Sequence, residues 1–112
     1  MSRIDDSGQG PAPLSSQDKK MYEQEYKQAA DLFQRSLNEY ESADEMNKKE
    51  AFKDVMGQAM QILNEAARGL KRSDLSTQNQ KISQDFLAYQ DHETADSKNQ
   101  LVNDLKQAKK TV

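Results

Sequence analysis

The single histidine of the chain, His92, stands between Asp91 and Glu93, with Asp96 four residues further on. An imidazole among carboxylates can hold a cation, and on a continuous helix His92 and Asp96 would share one face. Durable metal sites use three or four nitrogen, sulfur or carboxylate ligands at set spacings. Here there is no second histidine and no cysteine. The expected role of His92 is a solvated surface group, and neither metal nor cofactor is expected. The same counts remove a thiol nucleophile, a disulfide framework and a zinc–thiolate centre. No glycine-rich phosphate loop or nucleophile elbow accompanies the serines. No acid–base or nucleophilic constellation assembles, so the chain is expected not to be an enzyme.

Nucleic-acid binding would need a basic stripe. Lys71 with Arg72 and Lys109 with Lys110 are short pairs in a chain of 16 basic and 19 acidic side chains, net charge -3. With a pI of about 5.2, these cations suit the negative C-terminal ends of helices better than a phosphate backbone. No apolar run approaches the roughly 18 residues of a membrane span. The N-terminus lacks the basic-then-apolar pattern of a cleaved secretory signal. A cytoplasmic location is expected, export without a cleaved signal being the alternative.

What remains with functional content is apolar or amphipathic. Met46, Met56 and Met60, with Tyr22, Tyr26, Tyr40 and Tyr89, are adaptable groups that suit a shallow groove, although core packing is their commoner use. Helices must position them. Over residues 22–40, Tyr22, Tyr26, Ala29, Ala30, Phe33, Leu37 and Tyr40 recur at spacings of 3 and 4, the period of an α-helix with one apolar face. Over residues 52–70, Phe52, Met56, Ala59, Leu63, Ala66, Ala67 and Leu70 repeat the rhythm. Neither stripe is apolar enough to hold a helix alone in water. Two stripes facing each other in an antiparallel hairpin solve that for both.

The remaining chain extends the pattern. Residues 1–15 hold both prolines and are rich in glycine and serine, a composition that cannot bury a core and predicts a disordered tail. The tail also resembles the Ser-rich N-terminal export signals of bacterial type III secretion substrates. The predicted fold is all-α: a small antiparallel bundle of three to four helices, at about 16–41, 47–71, 75–91 and 98–109, in one domain over 16–110. Ser15 or Ser16 caps the first helix. Ser42 with Glu45, or Asn47 with Glu50, forms a capping box for the second, which Met46 could staple. Thr77 with Gln80 is read as the box of the third. From 90 to 100 the apolar residues vanish but for Ala95, so a break is favoured there, with a fresh cap at Ser97. Gly57, inside the second helix, marks either a tolerated imperfection or the close approach of another helix. Gly69 is read as the C-terminal turn.

Charge alternates along the chain. Residues 21–45 carry net -5, 46–72 net +3, 73–96 net -4 and 97–112 net +3. Acidic helices thus precede basic ones, an order that suits hairpins with attracting rims. The core must be narrow: Leu, Ile, Val and Phe make up about 16% of the residues, below the roughly 20% at which disorder competes. Mean hydropathy is -1.10. A partner or a second copy is one way to complete such a core. The apolar arc of the second helix, widened by Val55, Met60 and Ile62, asks for more than one neighbour.

Tyr26, Ala29, Phe33, Ser36 and Leu37 stand at the spacing of the second helix of a tetratricopeptide repeat, with Ser36 where that family usually has Ala. Together with the run from Ile62 to Lys71, they are also similar to the last two helices of MIT-type domains. The resemblance covers about residues 22–72, and it implies a groove that receives a peptide helix. The leading expectation is a non-enzymatic interaction module, adaptor or chaperone, that binds a partner's helix between its first two helices through Phe33, Leu37, Met56, Met60 and Leu63. The alternative is a helical structural subunit that self-assembles through its stripes, as in a bacterial secretion apparatus.

Overall fold

Why the described residues fold as four helices is visible at the helix ends. The computed structural model describes residues 15–112; the tail expected over 1–15 lies, but for Ser15, outside the described residues. Helix α1 spans Ser16–Ser42, α2 Met46–Gly69, α3 Ser73–Asp91 and α4 Ala95–Thr111, and no strand occurs among the described residues. Ser15 caps α1 by accepting from the Asp18 amide at 3.0 Å, and Asp18 itself offsets the positive helix end. Before α4, Thr94 and Ser97 form a reciprocal capping box, with Ser97 Oγ also donating to the His92 carbonyl at 2.6 Å. The break expected within 90–100 is therefore present, but its cap is Thr94, with Ser97 one turn inside.

Two other starts differ from expectation. Glu45 is the N-cap of α2 and makes no side-chain cap bond. Ser42 instead ends α1, donating to the Asn38 carbonyl, and Asn47 Oδ1 accepts from the adjacent Lys48 amide. Met46 staples nothing; it is 71% exposed. Helix α3 begins four residues before Thr77, at Ser73, because Arg72 organises its first turn. The Arg72 guanidinium donates to both Asp74 oxygens and to the Thr111 carbonyl at the end of α4. A tertiary contact there outweighs the local capping signal.

The end of α2 is a Schellman turn: Arg72 N–H donates to Ala67 and Lys71 N–H to Arg68. Its left-handed residue is Lys71, at φ 56°, and not glycine. Gly69 serves packing. A Cβ built there would lie 2.6 Å from the ring of Tyr22. Gly57 has nothing within 4 Å of a built Cβ, so no helix approaches it.

Each helix packs on its neighbour in sequence, and α4 returns to pack on α1. Helices α1 and α3 therefore occupy one diagonal of the bundle and α2 and α4 the other. The α1–α2 hairpin is the most extensive pairing, as the facing stripes predict. Large side chains fill the diagonal: Phe33 meets Phe86 edge-on, with centroids 5.2 Å apart and planes at 77°. The core draws on all four helices, with Leu75, Ile82, Leu101 and Leu105 fully buried beside Tyr26, Leu37 and Leu63. Burying each large apolar side chain contributes roughly 1.5–3 kcal/mol. Helices α3 and α4 thus supply the cover that the first two stripes lack.

Opposite charges meet mainly elsewhere than across the α1–α2 hairpin. Lys98 and Lys109 of α4 pair with Glu41 and Asp31 of α1, each at 2.5 Å. The acidic first helix and the basic last one form the bundle's closing seam.

Candidate interaction groove

The five side chains expected to receive a partner are brought together, but inside the protein. Phe33, Leu37 and Leu63 are fully buried, Met56 is 1% exposed, and only Met60 is half-buried. The inner face of the hairpin, where sequence alone places a groove, is occupied by α3 and α4. This corrects the assignment: four of the five residues present no surface to another molecule. The reason is that the apolar residues of 75–108, sparse as they are, fall on one face of two short helices.

The polar groups are equally committed. Tyr26 donates to Asn79 Oδ1 at 2.6 Å, and Asn79 Nδ2 donates to Asn64 Oδ1 at 3.1 Å, tying α1, α3 and α2 together. Burial pushes the Tyr26 phenol up to about 12. At the loop end of α1, Tyr40 donates to Glu93 at 2.6 Å. That bond and burial push its phenol up to about 12 as well. Lys49 lies over the Tyr40 ring, 4.5 Å from the centroid, and the Tyr89 ring stands 6.1 Å away. These phenols act as hydrogen-bond donors rather than as acids near neutrality. His92 ends α3 and Asp96 opens α4, so the helical break removes the shared face a cation would need. Among the described residues no group of three or more His, Cys, Asp or Glu side chains could hold a metal. No helix among them is long and apolar enough to cross a membrane.

The surface relief that does exist lies on the outer side of the hairpin. Ala29 floors a groove of about 320 Å³ between α1 and α2. Leu32 and Ile62, both half-buried and packed on the core edge, form its walls. Glu25 and Glu65 stand at its rims, with Gln28 beside them. Gln28 and Leu32 continue into a wider, polar hollow of about 930 Å³, which reaches Lys106 and Lys109 of α4. Towards the α1–α2 loop a hollow of about 600 Å³ opens beside the half-buried Phe52, lined by Glu39 and Lys48.

Leu32 was not legible as a site residue because it is off the stripe, one position before Phe33. Ile62 was legible only as part of the widened arc of α2. The available signal was the pair Val55 and Ile62, seven residues apart and lying beside the buried stripe. Comparison with known protein families, with curated proteins and with solved structures yields no match for this chain.

Proposed function

We propose that this chain is a non-enzymatic protein–protein interaction module, an adaptor or chaperone, and that it seats a partner's amphipathic helix in the outer α1–α2 groove. The observation that carries this reading is the pairing of Leu32 and Ile62 over Ala29, flanked by the carboxylates of Glu25 and Glu65. Two aliphatic walls over a small floor accept one apolar ridge of a helix. Carboxylates on both rims favour Lys or Arg beside that ridge and disfavour acidic partners. The resemblance of the hairpin to tetratricopeptide and MIT-type helices points to the same mode. Assembly through the inner stripes is not favoured, because the chain's own α3 and α4 already cover them.

A photo-crosslinking side chain at position 32 tests the proposal in cells of the native source, with one at exposed Gln80 as control. The expected product is a protein captured at position 32 alone, through a basic amphipathic helix, and lost on Ile62→Glu. Glu25→Lys with Glu65→Lys should weaken capture in a salt-sensitive way. Capture identical at both positions would overturn the reading. A crosslink to a second copy of this chain would replace the adaptor with a self-assembling subunit.

A further inference from the structure

One buried side-chain oxygen among the described residues has no hydrogen-bond partner, Oδ2 of Asp85 on α3. The group that meets this carboxyl is another carboxyl, Asp104 on α4. Both residues are half-buried at the seam of the last hairpin. Two carboxylates in that relation repel, and neither can donate to the other. One proton between them changes the sign, giving an O–H···O⁻ bond of the short, strong kind. We propose that Asp85 and Asp104 form a proton-sharing clasp between α3 and α4 that tightens when the pair holds one proton and loosens when it is lost.

The surroundings favour the protonated pair. Burial first, and then the bond to and the charge of Asp104, push the Asp85 carboxyl up to about 7. Lys81, on the same helix, is the opposing influence and the smaller one. Helices α4 and α2 flank α3, and α1 meets it across the diagonal: α4 brings Asp104, and among the described residues neither α2 nor α1 brings a charge that acts on Asp85. Gln78 Nε2 donates to the Asp104 backbone carbonyl at 2.9 Å, which holds the two helices in register but leaves the carboxyl pair to itself. Partial exposure leaves the proton free to exchange with solvent. The clasp matters beyond its seam because α3 and α4 cover Phe33, Leu37 and Leu63.

For a carboxyl whose folded value lies above its unfolded value, the folded state holds the extra proton between the two. Stability is therefore highest in acid and declines as pH rises towards 7. The decisive measurement is urea unfolding of the full chain from pH 5 to 8, in a His92→Gln background that removes the one histidine. The unfolding constant should rise with pH by about tenfold or more across that range, against a ceiling of about tenfold per unit for one proton. Asp85→Asn, whose amide can donate permanently to Asp104, should flatten the profile. Equal slopes for the two proteins would overturn the clasp. Should Asp85→Asn fail to fold, the carboxyl carbon of Asp85 can be titrated by NMR in the unaltered chain. A midpoint well above the ordinary range is expected, and one near the usual carboxylate value of about 4 would overturn the proposal.

Discussion

The Tyr26 hydroxyl donates to Asn79 Oδ1 at 2.6 Å across the diagonal of the bundle, between residues 53 positions apart. Both are buried, and Asn79 passes the connection on to Asn64. Apolar contacts alone would tolerate a slide of α3 along α1. A buried donor–acceptor pair does not, because a one-turn shift leaves polar atoms unpaired in the core. Tyr26→Phe should cost roughly 1–3 kcal/mol, the penalty of an unsatisfied buried acceptor. Tyr26→Phe combined with Asn79→Leu should cost less than the sum of the two single changes, as read by urea unfolding in a double-mutant cycle.

Alkaline unfolding should follow from the same tyrosines. The Tyr26 and Tyr40 phenols stand at about 12 when folded, against 10.0 for an ordinary tyrosine. The folded state therefore keeps protons that the unfolded chain releases. Their contribution is complete below pH 10 and is lost as pH rises towards 12. Ultraviolet titration of the folded protein should show delayed tyrosinate formation, and thermal stability should fall over the same interval. Glu93→Gln should bring Tyr40 back towards the ordinary value, since the bond to Glu93 is the largest cause of its shift.

The two glycines of α2 should respond in opposite directions. Gly57 has open space where a Cβ would stand, so Gly57→Ala should stabilise by about 1 kcal/mol, the propensity difference in a helix interior. Gly69→Ala would put a methyl group 2.6 Å from the Tyr22 ring. The ring must move, and a net loss of about 1 kcal/mol is expected after overpacking is set against propensity. Tyr22→Ala in the Gly69→Ala background should remove the conflict. Thermal melts of the three variants decide this.

Leu32 and Leu37 lie on one helix and should behave as different kinds of residue. Leu37 is fully buried, so Leu37→Asp places a charge in the core and should abolish the cooperative melt. Leu32 is half-buried at the groove wall. Leu32→Glu should cost about 1 kcal/mol or less, near the range of surface changes, and under the proposed function it should also remove partner capture. Circular dichroism separates the two.

The closing seam should depend on salt. Lys98 and Lys109 pair with Glu41 and Asp31 at a partly exposed surface. Each alanine substitution should cost at most about 1 kcal/mol. The loss should shrink towards zero in molar salt, where the screening length falls to about 3 Å.

How much was legible in the sequence follows from the range of each interaction. The stripe containing Tyr26, Phe33 and Leu37 sets α1, and that containing Met56, Leu63 and Ala66 sets α2, because helical period and side-chain burial are both local to a few turns. The Ser15 cap and the loss of apolar residues between Gln90 and Gln100 are local in the same sense. Three to four helices and their approximate bounds could therefore be read from residue order, with a break between 90 and 100 favoured. Where a distant residue takes part, the local reading gave way. Arg72 starts α3 earlier than Thr77 would, by reaching Asp74 and the end of α4. Gly69 is small for Tyr22, 47 positions away, while Lys71 takes the left-handed turn.

The groove is the fullest case. Sequence determined that the α1–α2 hairpin has more apolar surface than its two stripes can bury between them. Only the tertiary arrangement decided which part stays exposed. Helices α3 and α4 pack on the inner face and take Phe33, Leu37, Met56 and Leu63 out of reach, leaving Leu32 and Ile62 at the outer edge with Glu25 and Glu65. A periodic pattern states how much must be covered. Which covering wins is a comparison of burial across the whole bundle, and no single segment carries that information.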